Sequence, residues 1–106
     1  IYFYSRWEAN IARLYTHLGI KWLYEPVSFD IGGHMYTPDF YLPGTDTYIE
    51  VKNFWWRYSK IRDEKFRKTH RDERLEVILK EDYLKLEKQY AHFIQNWEYK
   101  NSKFQE

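Results

Sequence analysis

Two acidic residues and a lysine stand where two predicted strands would bring their side chains together. If a hairpin turns at Gly44-Thr45, residues whose numbers add up to 89 face each other across it, and Asp39 and Glu50 meet that condition. Their Cβ atoms would then lie about 5 Å apart, on the same face as Lys52. Carboxylates this close repel each other, and a divalent cation that takes oxygen ligands, such as Mg²⁺, removes the conflict. The Lys52 ammonium group could then orient an attacking water and offset negative charge on a phosphoryl oxygen.

A structural alternative accounts for the same three residues. Lys52 paired across the strands with Asp39 or Glu50 on a solvated face would be an ordinary surface salt bridge, which stabilises a fold very little. Spacing alone does not decide between the two interpretations, because carboxylate clusters mark functional sites only in a statistical sense.

Three segments have the apolar spacing of helices. The first begins at Ser5 and ends before Gly19, a residue type that is common at helix C-termini. The second, from Arg57 to about Arg74, is highly charged, and the third carries a narrow stripe that is predicted to be core, with a dimer seam as the alternative. The predicted apolar faces are Trp7, Ile11, Leu14, Tyr15 and Leu18; Tyr58, Ile61 and Phe66; and Tyr83, Leu86, Tyr90, Phe93 and Trp97.

Four further segments have the patterns of strands. The first should turn into the second at Gly32-Gly33, a hairpin signal. The third should place Ile49 and Val51 on one face, and the fourth has the continuous apolar centre of a strand that is covered on both sides. The resulting order α-β-β-β-α-β-α favours one α/β domain over residues 1–106. The strands are expected over residues 21–31, with Leu23, Val27, Phe29 and Ile31 on one face, and over residues 34–43, 45–54 and 75–80.

The composition restricts the class of protein. Much of the core of this 106-residue chain must come from its 7 Phe, 5 Trp and 11 Tyr, since 31% of the residues are charged. The absence of cysteine excludes Cys-ligated zinc and a cysteine nucleophile. No stretch approaches the ~18 apolar residues of a membrane span, so we expect a cytoplasmic protein without membrane contacts. Because the first residue is Ile1 rather than Met, the chain could be a domain of a longer protein.

Two short motifs give the chain a family resemblance. The sequence PDFYLP, followed by YIEVKNFW, resembles the signature of the PD-(D/E)XK nucleases, with Pro38-Asp39 and then Glu50-Val51-Lys52. The predicted order of elements also matches the αβββαβ core of that family, so the resemblance covers most of the chain. It implies a restriction endonuclease-like fold, in which helices flank a mixed central sheet, plus a C-terminal helix.

The resemblance also implies an activity and a role for each residue. Asp39 and Glu50 would bind Mg²⁺, for which Mn²⁺ could substitute, with the backbone carbonyl of Val51 as a further ligand. Lys52 would orient the water nucleophile and stabilise the transition state. Glu8 matches the acidic residue of the family's first helix and would support a metal ion or its waters. The implied activity is Mg²⁺-dependent hydrolysis of DNA phosphodiester bonds, as in small mismatch-nicking, junction-resolving and homing endonucleases of phages and mobile elements.

Glu8 also has a purely structural explanation. Ser5 and Glu8 are spaced as in a capping box, in which the serine side chain caps the helix and the glutamate reaches back to the serine amide. Both interpretations stay open from the sequence.

The near-zero net charge hides a basic segment. Residues 57–74 contain eight Lys and Arg against four Asp and Glu, a net of +4, so the rest of the chain sums to −3. Phosphate contacts from Lys and Arg supply most of the non-specific affinity for DNA. A solvated helix with ion pairs four residues apart would explain the same charges. We predict DNA binding by residues that share one face of this helix: Lys60, Arg67, Lys68 and Arg71.

Alternatives remain for the aromatic residues and for the activity. Trp55-Trp56 could stack on exposed bases, although packing at the core and its rim is the more common role of such a pair. The alternative to an endonuclease is a non-catalytic nucleic-acid-binding or assembly module. The carboxylates argue against such a module, because they would repel a bound polyanion. A double-strand cut by so small a domain would require a homodimer or successive nicks.

Overall fold

The computed structural model describes residues 2–100 and has an α/β architecture with a mixed four-stranded sheet. Among the helices of residues 2–100, none has the length and apolar character needed to cross a membrane. The elements are α1 (Arg6–His17), β1 (Leu23–Tyr24), β2 (Phe29–Asp30), β3 (Met35–Tyr36), β4 (Phe40–Leu42), β5 (Thr47–Lys52), α2 (Arg57–Thr69), β6 (Arg74–Leu79), α3 (Lys80–Tyr90) and a 3-10 turn (Ala91–Phe93).

The sheet has the strand order β1-β4-β5-β6, so β5 lies in its interior between β4 and β6. It runs antiparallel to β4 and parallel to β6, with α2 as the connection between the parallel strands. The β4–β5 register pairs Phe40 with Ile49 and Leu42 with Thr47, which confirms the register predicted from the turn at Gly44-Thr45. The carboxyl ends of β1, β5 and β6 therefore lie at the same edge of the sheet as the amino end of β4.

The two faces of β5 contact two separate cores. Ile49 and Val51 lie in the larger core, with residues of α1 and α3, whereas Tyr48 lies in a smaller core with Phe66 of α2. This alternation follows the pleat of the strand and was predicted from the sequence. As a result, α1 and α3 cover one face of the sheet and α2 covers the other.

Helix α1 begins and ends where the sequence predicts. The Ser5 hydroxyl accepts a hydrogen bond of 3.1 Å from the backbone N–H of Glu8, and Gly19 adopts a φ of 73° just after the helix. Four of the five predicted apolar residues are buried, but Leu18 is exposed because it lies beyond the last turn.

The first two predicted strands are each broken in two. Segment 21–31 splits into β1 and β2 because Glu25 adopts a left-handed φ of 47° and Pro26 has no N–H for a ladder, so Leu23 and Val27 are exposed. Segment 34–43 splits into β3 and β4 around Pro38. The β2–β3 pair forms a separate hairpin, whose Gly32-Gly33 turn was predicted correctly.

The second half of the chain also departs from the prediction at its element ends. Helix α2 ends at Thr69 rather than near Arg74, and Tyr58 and Ile61 of its predicted apolar face are exposed. Strand β6 lies at an edge of the described sheet, and its apolar centre is less covered than predicted, because Leu75 is buried whereas Val77, Ile78 and Leu79 are half-buried. The predicted third helix ends at Tyr90, so Phe93 is exposed while Trp97 packs back onto the larger core.

Candidate active site

The predicted site residues come from three elements that meet at one edge of the sheet. Asp39 directly precedes β4, Glu50 and Lys52 lie in the second half of β5, and Glu8 lies in the first turn of α1. The β4–β5 register, continued by one residue, brings Asp39 opposite Glu50. The three carboxylates are almost fully buried, with 9%, 5% and 9% of Asp39, Glu50 and Glu8 exposed.

The carboxylate of Asp39 is oriented by the backbone of the neighbouring strand. Its Oδ2 atom accepts a hydrogen bond of 2.7 Å from the N–H of Val51, between Glu50 and Lys52. A charge-assisted bond to a backbone donor fixes a carboxylate more firmly than a flexible side chain would. The predicted role of the Val51 carbonyl as a metal ligand stays a prediction.

Glu8 lies at the start of the helix and also near the other acidic residues, so both alternatives from the sequence apply to it. Its backbone N–H is capped by Ser5, but its Oε2 atom accepts from the Ser5 hydroxyl at 3.0 Å rather than from the Ser5 amide, so the predicted capping box is only half formed. Its Oε1 atom accepts from the hydroxyl of Tyr24 on β1. A residue that only caps a helix can stay exposed to solvent. The Glu8 carboxylate is instead buried close to that of Asp39, as a site residue would be.

Glu25 is a site residue that the sequence did not predict. Carboxylate oxygens of Glu8, Glu25 and Asp39 all lie within 4.8 Å of one another. The left-handed backbone of Glu25 places its N–H 2.9 Å from the carbonyl oxygen of Asp39, which brings the end of β1 against the start of β4. Because an unbroken strand was expected here, the alternation rule gave no reason to select this residue.

The carboxylate of Glu50 is held by a different set of partners. Its Oε1 atom accepts from the Tyr36 hydroxyl at 2.9 Å, and its Oε2 atom lies 3.1 Å from Arg62 Nη2 and 3.6 Å from Lys52 Nζ. The Arg62 guanidinium also lies over the Tyr36 ring, 4.7 Å from its centroid. Glu50 is thus neutralised by cations and is not one of the three residues of the 4.8 Å group.

Tyr24, Tyr36 and Arg62 were missed for a common reason. The two tyrosines are among 11 in the chain, and Arg62 is one of eight basic residues in its segment. The available signal for Arg62 was its spacing from Phe66, since residues four apart share a helix face and Phe66 belongs to the predicted apolar face of this helix.

Burial and mutual repulsion disfavour the charged forms of these carboxylates. Burial, followed by the charges of Glu50 and Glu8, raises the pKa of Asp39, while the Val51 N–H and Lys52 oppose the shift. Burial also raises the pKa of Glu50 against the opposing effect of Arg62 and Lys52. Burial and the charge of Glu8 raise the pKa of Glu25.

The donor set fits a small hard cation. It offers carboxylate oxygens and no nitrogen or sulfur ligand, which is the set that Mg²⁺ and Mn²⁺ accept. A cation would also relieve the repulsion that raises the pKa of Asp39. The acidic group of Glu8, Glu25 and Asp39 at the sheet edge is therefore a candidate metal site, and Glu50 lies opposite Asp39 on the neighbouring strand.

The four predicted DNA-binding residues are exposed but do not share a helix face. Lys60, Arg67 and Lys68 lie on α2, whereas Arg71 lies beyond the end of the helix at Thr69. Arg67 is also engaged within the protein, because it pairs with Asp63 at 2.9 Å and donates to the Leu75 carbonyl at 2.9 Å.

The tryptophan pair forms a rim rather than part of either core. Trp56 is exposed and Trp55 is half-buried, and the ring of Trp56 lies 5.4 Å from that of Phe54, which is exposed as well. These rings follow directly on the carboxyl end of β5, beside Lys52.

Neither the known protein families nor the curated proteins supply a relative of this chain. A scan against models of protein families finds no match, and a search of curated proteins finds none with significant similarity.

Proposed function

We propose that this protein is a Mg²⁺-dependent DNA endonuclease of the PD-(D/E)XK type, with a restriction endonuclease-like core. The observation that carries the proposal is the position of Asp39, which is hydrogen-bonded to the N–H of Val51 between Glu50 and Lys52. The two halves of the motif, eleven residues apart in the sequence, thus meet in space. Glu8 joins them from the first helix, where the motif requires an acidic residue.

Each residue has a role that follows from its surroundings. Asp39 and Glu50 would hold the cation, and Glu8 and Glu25, whose carboxylates lie close to that of Asp39, would support the ion or its waters. Bound there, Mg²⁺ would withdraw charge from the phosphoryl oxygens and lower the pKa of an attacking water. Lys52, whose side chain is 30% exposed, can reach that water and the phosphate while its ammonium group stays near Glu50. Its positive charge offsets the charge that develops during hydrolysis.

The charge distribution around the site fits a polyanionic substrate. Helix α2 follows β5 after four residues and carries exposed Lys60 and Lys68. Phosphate contacts of this kind position a nucleic acid without reading its sequence. We therefore expect binding to depend more on backbone charge than on base sequence.

A non-catalytic nucleic-acid-binding or assembly module is the second candidate. The exposed rings of Phe54 and Trp56 favour it, because aromatic rings beside basic residues also bind unpaired bases without cleaving the strand. A module of that kind has no use for buried carboxylates near the bound polyanion, since these would repel it.

Cleavage of several DNA forms distinguishes the two candidates. Supercoiled plasmid, single strands and branched DNA are incubated with Mg²⁺, with Mn²⁺ and with EDTA, and Glu50→Ala serves as the matched inactive variant. An endonuclease cleaves at least one form only when the metal is present, and Glu50→Ala does not. Binding of these forms without metal-dependent cleavage of any of them would favour the module, and light scattering on the same preparation reports whether the active species is a homodimer.

A further inference from the structure

Arg62 is a cation at the candidate active site that the motif does not contain. It lies on the inward face of α2, three residues after the buried Ser59 and four before the buried Phe66. Phe66 packs against the Tyr36 ring with a centroid distance of 5.4 Å, which anchors this part of the helix beside β3. Arg62 therefore faces the site rather than the solvent, and 23% of its side chain is exposed.

The guanidinium of Arg62 and a bound cation would compete for the same oxygen. Arg62 Nη2 lies 3.1 Å from Glu50 Oε2, and Lys52 Nζ approaches that same atom at 3.6 Å, while Oε1 is occupied by the Tyr36 hydroxyl. A divalent cation coordinated by Glu50 would repel the guanidinium at this distance. The ion pair must loosen for Glu50 to become a ligand.

In the conformation that pairs with Glu50, Arg62 also makes a contact that involves no carboxylate. Its guanidinium lies over the Tyr36 ring at 4.7 Å, and a cation over an aromatic face is stabilised without any carboxylate. The planar fork of arginine also suits a phosphate, to which it can donate two parallel hydrogen bonds. A displaced Arg62 thus stays at the site, with its donors free for an incoming phosphodiester.

We propose that Arg62 is an internal counterion of Glu50 that a divalent cation displaces, and that the displaced guanidinium then binds the scissile phosphate. This inference rests on the proposed function, since it assigns a partner to the same metal site. Arg62 would then weaken metal binding and accelerate cleavage. A purely structural residue does not combine these two opposite effects.

Metal binding and cleavage are measured separately to test it. Mn²⁺ affinity is determined by electron paramagnetic resonance of the free ion for the wild type, Arg62→Ala, Arg62→Lys and Arg67→Ala. Arg67 is the matched control, because it lies on the same helix and is engaged by Asp63 and Leu75 rather than by Glu50. Circular dichroism and urea unfolding establish that each variant is folded, and Arg62→Gln replaces Arg62→Ala if the latter does not fold.

We expect Arg62→Ala to bind Mn²⁺ about tenfold more tightly, a change that corresponds to about 1.4 kcal/mol. At saturating metal its maximal cleavage rate should fall by about tenfold or more, as for the loss of a charged hydrogen bond to a phosphate. Arg62→Lys should keep an affinity near the wild type with a reduced rate, since lysine is a point charge without the fork. The affinity of Arg67→Ala should not change.

The outcomes separate this inference from the proposal on which it rests. Equal or weaker Mn²⁺ affinity in Arg62→Ala, with a wild type that binds and cleaves, overturns the counterion role alone. An unchanged maximal rate overturns the phosphate role. A wild type that neither binds Mn²⁺ nor cleaves DNA overturns the proposed function together with this inference.

Discussion

The side chain of Asp39 accepts a hydrogen bond of 2.7 Å from the backbone N–H of Val51, and this bond fixes the centre of the candidate site. It joins the residue before β4 to the middle residue of Glu50-Val51-Lys52 on β5. The orientation of Asp39 therefore depends on the sheet and not on a bound ion. Sites whose ligands are held in place before binding lose less conformational freedom when the ligand arrives.

Replacement of Asp39 should stabilise the protein without metal. In Asp39→Asn the amide oxygen can still accept from the Val51 N–H, while the charge that repels Glu50 and Glu8 is removed. We expect the free energy of unfolding at pH 7 in EDTA to rise, because the raised pKa of Asp39 means that the folded state disfavours its charged form. Urea unfolding measures it, with the exposed Asp72→Asn as control. A loss of stability in Asp39→Asn would show that the carboxylate is not under electrostatic strain.

The same carboxylate should make stability depend on pH. Because the pKa of Asp39 is raised in the folded state, the folded protein binds this proton more tightly than the unfolded chain. Its contribution is therefore fully present below the unfolded pKa, about 4, and is lost as the pH rises towards the folded pKa. Relative to Asp39→Asn, the wild type should lose stability between pH 4 and the folded-state pKa of Asp39, about 9, and Mg²⁺ should diminish the difference. Parallel pH profiles in EDTA would contradict the shift.

Glu8 and Ser5 allow the cap to be separated from the site. Glu8→Gln keeps the backbone N–H that Ser5 caps but weakens the acidic group, so cleavage should fall at least about tenfold with little change in stability. Ser5→Ala removes the cap together with the hydrogen bond from the Ser5 hydroxyl to Glu8 Oε2, and it should cost about 1 kcal/mol of unfolding free energy. Because Glu8 keeps its charge and its hydrogen bond from Tyr24, most of the cleavage rate should be retained. Plasmid cleavage and urea unfolding are measured on both variants. Full activity in Glu8→Gln would reduce the role of this residue to capping.

The basic helix should contribute to DNA binding through its exposed lysines. Replacing Lys60 or Lys68 by Ala should each lower the slope of log affinity against log salt by about 0.9, the contribution of one phosphate contact. Arg67→Ala should change it less, because Asp63 and Leu75 already engage that side chain. Lys88→Ala on α3, on the opposite face of the sheet, is the control. A slope that none of these changes would remove α2 from the interface.

The parts of the site that the sequence predicts are those fixed by local rules. The turn at Gly44-Thr45 sets the β4–β5 register, and that register alone brings Asp39 to Glu50. Ser5 similarly marks the start of the helix that carries Glu8. In each case one short segment determines the geometry.

The remaining site residues depend on contacts between distant segments. Glu25 reaches the acidic group through a left-handed backbone that interrupts an apparently continuous strand. Tyr36 belongs to a separate hairpin that packs on α2. The burial of Phe66 determines which face of α2 points inward, and Arg62 lies on that face. These positions are determined by packing between elements, and the periodicity of a single element does not predict that packing.

Metal-dependent nicking of supercoiled plasmid by the wild type and by Asp39→Asn, compared in the same buffer with Mg²⁺ and with EDTA, tests the central claim most directly. We predict that the wild type nicks the plasmid with Mg²⁺ and not with EDTA, and that Asp39→Asn, although folded and at least as stable, is slower by about 100-fold or more. Equal nicking by both proteins, or no metal-dependent nicking by the folded wild type, would contradict the assignment of this sheet edge as a phosphodiester-cleaving metal site.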